Sequence, residues 1–184
     1  MKRIRVASAL ICTAFAWNAS ATDFTLSSPS FAPNATLQDA NILDGFGCTG
    51  KNLSPALAWT DAPPGTESFA VTVYDPDAPS GSGWWHWVVF DIPATAHSLA
   101  EGVGNSSGKG LPAGAVQGRT DFGIHAYGGA CPPAGDKPHR YIFTVYALKV
   151  KHLDVPNDAS AAMIGFMING SKIASASIQA SYAR

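Results

Sequence analysis

The chain has 184 residues, 13 Asp and Glu against 12 Lys and Arg, and a formal charge of −1 with 46% hydrophobic residues. That length supports one domain with a proper core rather than two. Three of the cations fall in the first five residues, so the remainder is more acidic still, which argues against nucleic acid and against a polybasic membrane patch.

The N-terminus reads as a targeting segment. Lys2, Arg3 and Arg5 precede a mostly apolar stretch from Val6 to Trp17, and Ala19-Ser20-Ala21 has the small-x-small form of a cleavage site. Together they predict a secretory signal peptide over residues 1–21, a single domain over 22–184, and a periplasmic or secreted location. About 12 apolar residues are too few to cross a hydrocarbon core that needs roughly 20, and no later stretch is longer, so no integral membrane segment is expected. Cleavage leaves Cys48 and Cys131, and an even count in an exported chain predicts a disulfide between them. It would close a loop of about 80 residues and contribute up to about 4 kcal/mol on chain-entropy grounds. Neither Cys-x-x-Cys nor His-x-x-x-His occurs, so no metal site is expected, and nothing points to a cofactor.

Short β-branched and aromatic runs bounded by Gly or Pro predict strands at residues 24–26, 57–59, 69–74, 85–92 and 140–150. Many short strands with 18 Gly and 13 Pro favour an all-β sandwich with long loops. Residues 102–118 read as loop. One helix is predicted over 159–168, with Asn157 or Asp158 as N-cap and Gly170 as its stop, followed by a strand over 173–182. Gly45-Phe46-Gly47-Cys48-Thr49-Gly50 satisfies the dinucleotide-binding pattern, but Pro55 follows closely and no helical period appears, so the match carries nothing. Gly104-Asn105-Ser106-Ser107-Gly108 likewise lacks the strand-to-helix turn of a hydrolase elbow.

Two segments carry the chemistry. Asp75-Pro76-Asp77-Ala78-Pro79 leads to Trp84-Trp85-His86-Trp87, and Cys131-Pro132-Pro133 leads to His139-Arg140-Tyr141. Proline stiffens both. Strands at 71–74 and 85–89 would bring Asp75 beside His86, and a carboxylate next to an imidazole favours the protonated, two-donor ring. An imidazolium at His86, joined by His139 and the Tyr127 hydroxyl, would suit a phosphate or carboxylate oxygen. His97, His125 and His152 read as surface residues. The competing expectation is a hydrolase with His86 or His139 as base, Asp75 orienting it, and Ser80, Ser82 or water as nucleophile.

These two blocks, with Val145-Tyr146-Ala147-Leu148 and Cys48-x-Gly50-x-Asn52-x-Ser54-Pro55, resemble the signatures of the phosphatidylethanolamine-binding protein family, also called Raf kinase inhibitor-like proteins, and among them the exported bacterial YbhB/YbcL type. The resemblance spans residues 24–182. It implies a Greek-key β-sandwich and a non-enzymatic anion pocket lined by Asp75, Asp77, Pro79, Trp84, His86, Tyr127, Pro132, His139 and Tyr141. It also implies a small anionic ligand, a protein partner modulated in the manner of a kinase- or protease-inhibitor-like module, and a homodimer. A 79–84 loop shorter than in the eukaryotic members implies a different mouth, and the want of a long helix after Tyr182 implies a more open site than in mammalian relatives.

Overall fold

The computed structural model describes residues 23–184; the expected signal segment, residues 1–21, lies outside the described residues. The central element is β5 (Ser68–Asp75), an apolar run buried on both faces along most of its length. Such a run belongs in the middle of a sheet covered on both sides. It pairs antiparallel with β6 (Trp84–Pro93) on one edge and β9 (His139–Leu148) on the other. Outside these lie β8 (Val116–Gln117) and β10 (Lys172–Tyr182), giving a five-stranded sheet in the order β10-β9-β5-β6-β8.

A second, three-stranded sheet is built from β1 (Thr25–Ser27), β4 (Leu57–Thr60) and β7 (Ser98–Leu99) in the order β1-β4-β7. Its Leu26, Leu57, Trp59 and Leu99 share one buried cluster with Phe69, Val71, Val73, Val89, Phe143 and Val145 of the large sheet. Because side chains alternate along a strand, the opposite face shows Ala70, Val88, Phe90 and Leu148. That face is covered by α1 (Ala161–Ser171) through Ala161, Ile164 and Ile168. The predicted all-β sandwich with one helix is therefore the observed architecture.

The helix boundaries differ from the expectation. Ser160 rather than Asn157 or Asp158 is the N-cap, its hydroxyl accepting from the Met163 amide at 3.2 Å. Gly170 does not stop the helix, which runs on to Ser171 and passes into β10 with Lys172 already extended. Within the expected 102–118 loop, β8 adds a two-residue strand to the sheet edge. Residues 44–49 form a small hairpin of β2 (Asp44–Gly45) and β3 (Cys48–Thr49). Its turn puts Phe46 and Gly47 both at positive φ, 50° and 83°, the conformation a two-residue hairpin turn demands.

The ladder between β5 and β6 is irregular at two points, between Phe69 and Val71 and between Val73 and Tyr74, and the second shapes the site. Val73 pairs with Trp87 but Tyr74 pairs with Trp85, so His86 is a surplus residue in β6, a β-bulge. Regular alternation would send His86 toward α1 with Val88. The bulge instead turns it to the side of Tyr141, whose ring lies 5.1 Å away.

Candidate functional site

β5 ends, and β6 and β9 begin, at one end of the large sheet. Asp75, Trp84, His86, His139 and Tyr141 meet there around a cavity of about 310 Å³. His139 and Tyr141 are two residues apart on β9 and so share a face. The walls come from loops: Ala78 and Pro79 after β5, Pro132 and Pro133 before β9, Phe122 from the segment after β8, and Phe46 from the hairpin turn. Phe46 is 74% exposed and stacks on Phe122 at 6.1 Å, which makes the pair an aromatic lip. The Cys48–Cys131 disulfide, with Cα atoms 6.0 Å apart across 83 residues, ties the hairpin to the proline wall as the cysteine count predicts.

Asp75 is buried but well provided for. Its Oδ1 accepts from the amides of Asp77 at 2.8 Å and Ala78 at 3.1 Å, and its Oδ2 accepts from His139 Nδ1 at 2.8 Å. The other nitrogen of His139 lies 3.4 Å from the Asp136 carboxylate. Asp75 therefore pairs with His139 across β5 and β9, not with His86 as the strand positions alone would predict.

His86 has a different partner. Its Nδ1 donates to the Gly128 carbonyl at 2.7 Å, which fixes the proton on that nitrogen and leaves Nε2 as the free one. Burial drives its pKa below the ordinary value of 6.5 and outweighs the pull of the Asp75 charge, so the ring is neutral rather than the expected imidazolium. The Gly128–Gly129 stretch is itself held by Asn52, which accepts from the Gly129 amide at 2.7 Å and donates to the Tyr127 carbonyl at 3.3 Å. This gives the Cys48-x-Gly50-x-Asn52 block a structural reason. Gly128 is required because a Cβ there would run into the Phe122 ring.

Two of the expected lining residues lie elsewhere. The Tyr127 hydroxyl points away and donates to the Asn41 carbonyl at 3.0 Å, and its ring meets Trp87 at 5.9 Å. Asp77 turns outward to Arg140, whose Nε and Nη2 donate to it at 2.8 and 2.7 Å and hold its pKa down at about 2. The remaining seven, Asp75, Pro79, Trp84, His86, Pro132, His139 and Tyr141, do line the cavity. Ala78, Cys131 and Pro133, which also line it, fall within the two singled-out segments, whereas sequence reasoning misses Phe46, Phe122 and Arg184. Arg184 Nε donates to the Pro132 carbonyl at 2.7 Å, bringing a guanidinium to the rim. No motif marks it.

Two donors of this cavity have nothing to donate to. Among the described residues the Tyr141 hydroxyl and the Trp84 indole N–H are buried without a hydrogen-bond partner. Burial also pushes the Tyr141 pKa up, so the hydroxyl keeps its proton. Ser80 instead donates to the Gly83 carbonyl, and neither it nor Ser82 is among the lining residues.

Residues 27–183 match the model of the family described as phosphatidylethanolamine-binding protein. The chain belongs to that family. It is 50% identical to UPF0098 protein YbcL of Escherichia coli over 182 residues, covering 99% of this chain and 98% of that protein. With E. coli YbhB it shares 52% identity over 146 residues, 79% of this chain and 91% of the relative. The crystal structure of E. coli YbcL, described as a new member of the mammalian PEBP family, superposes with a TM-score of 0.86 at 51% identity, covering 89% of this chain and 99% of that one. A PEBP homologue from Chlamydia trachomatis follows at 0.72 and 29%, covering 88% and 97%.

Proposed function

We propose that this member of the family is a non-enzymatic binding protein, working in the periplasm or outside the cell, whose cavity holds a small oxyanion. Phosphate, a phosphoryl group or a carboxylate would fit, and occupancy of the same mouth would modulate a protein partner. The observation that carries this reading is the pair of buried donors lining the cavity, Tyr141 O–H and Trp84 N–H, which have no partner among the described residues. A buried donor without an acceptor costs about 1–3 kcal/mol, so the site favours a guest rich in acceptors. The Asp75 charge does not forbid an anion, because two amides and His139 already face it. Arg184 adds a cation at the rim. The Cys48–Cys131 bridge suits an oxidising compartment. A serine-dependent hydrolase finds no support, since no serine among the described residues lines the cavity.

Trp84 provides the assay. Its fluorescence is expected to respond to millimolar phosphate or acetate, and Tyr141→Phe is expected to weaken that binding about tenfold, the worth of one buried hydrogen bond. A flat titration with every small oxyanion overturns the reading.

A further inference from the structure

We propose, resting on the oxyanion-pocket reading, that the cavity selects a phosphoryl group still carrying a proton, as inorganic phosphate or a phosphomonoester, and rejects sulfate and phosphodiesters. The selecting atom is His86 Nε2, a lone pair to which a phosphoryl O–H would donate.

The geometry of that ring is fixed from several sides. A carbonyl can only accept, so the 2.7 Å contact with Gly128 O commits the proton to Nδ1. Phe122 and Tyr141 flank the imidazole edge-on at 5.3 and 5.1 Å, which holds its plane. Among the described residues Nε2 has no hydrogen-bond partner, yet the side chain lines the cavity. Turning the ring over would set Cδ2 against the Gly128 carbonyl and forfeit the Nδ1 hydrogen bond. Protonating the ring is opposed by its burial.

The carboxylates of Asp75 and Asp121 pull the His86 pKa up, and burial outweighs them. Asp75 faces the ring from β5, Tyr141 and His139 from β9, Asp121 from the segment after β8, and Arg184 from the end of the sequence. A guest that retained one proton would donate to Nε2, while its other oxygens accept from Tyr141, Trp84 and Arg184. A guest without a proton would place an oxygen lone pair against a nitrogen lone pair in a dry site, where an unpaired buried acceptor is costly. Sulfate and a phosphodiester carry no proton near neutral pH. A phosphomonoester keeps one until its second pKa of about 6, and inorganic phosphate keeps one well beyond.

The test uses four probes on the purified protein, followed by Trp84 fluorescence and calorimetry: inorganic phosphate, phosphorylethanolamine, glycerophosphoethanolamine and sulfate. At pH 6 the first two are expected to bind at least about tenfold more tightly than the last two. Between pH 6 and 8 the affinity for the monoester should fall by up to about tenfold per pH unit while that for inorganic phosphate falls less. His86→Phe, which keeps a ring but removes the acceptor, should bring the phosphate-to-sulfate ratio close to one. If the wild-type protein binds sulfate or the diester as tightly as phosphate, this selection is overturned and the pocket reading stands. If none of the four binds, both fall. The diester arm also separates a free phosphate or monoester from an intact phospholipid head group.

Discussion

The segments around Asp75 and His139 are joined twice, by two ion pairs with opposite surroundings. Asp75 and His139 are both buried, with the carboxylate also capped by two amides. Asp77 and Arg140, two residues and one residue further on, make a bidentate pair at the surface, with the arginine side chain half exposed. The inner pair is the costlier to disturb although the outer one has more direct contacts, because burial and not contact number sets what an unpaired charge costs.

The largest effect should come from the inner pair. Asp75→Ala leaves His139 and two amides without their acceptor and is expected to cost about 3–5 kcal/mol in denaturant unfolding. Asp77→Ala, measured in the same way, is expected to cost less than about 1 kcal/mol. Equal losses would erase the contrast. Next comes the covalent tie. Replacing Cys48 and Cys131 together by alanine should cost about 2–4 kcal/mol, and it should widen the mouth without removing Asp75 from His139.

Acid separates the two regions further. His86 takes a proton at lower pH when folded than when unfolded, so its contribution to stability is complete above pH 6.5 and declines as the pH falls below it. Asp77 behaves in another window: its contribution is present above the ordinary carboxylate value of 3.8 and is lost as the pH falls toward about 2. Unfolding midpoints measured from pH 7 to pH 5 should therefore fall in the wild-type protein and fall less in His86→Phe. Asp77→Asn should leave that slope unchanged.

Much of the fold is legible in the residues. The strands over 69–74 and 85–92 announce themselves because β-branched and aromatic runs end at Asp-Pro and Pro punctuation. The disulfide follows from the two cysteines, Cys48 and Cys131, that remain once the expected signal segment is set aside. Asp75, His86 and His139 stand out because rigid prolines flank titratable groups. Pairing is what the residues do not disclose. Nothing in Trp85 or Trp87 says that the ladder skips the residue between them, so the side to which His86 turns, and with it the true partner of Asp75, emerges only from register. Tyr127 misleads for a related reason, since its hydroxyl is claimed by Asn41, 86 residues away. Arg184 and Phe46 reach the cavity by tertiary approach from a chain end and a hairpin turn, and local pattern carries no trace of that.

The skipped residue in β6 has a consequence for how such a hollow arises. An unbroken alternation through 84–87 would turn His86 and Trp84 to the helix side and bring Trp85 to the side of Tyr141. Excising His86, as opposed to replacing it, would close the bulge and leave Tyr74 opposite Trp85 and Asp75 opposite Trp84, so the imidazole alone would be lost from the hollow. The imidazole of the hollow and the flaw in the weave are thus one and the same residue.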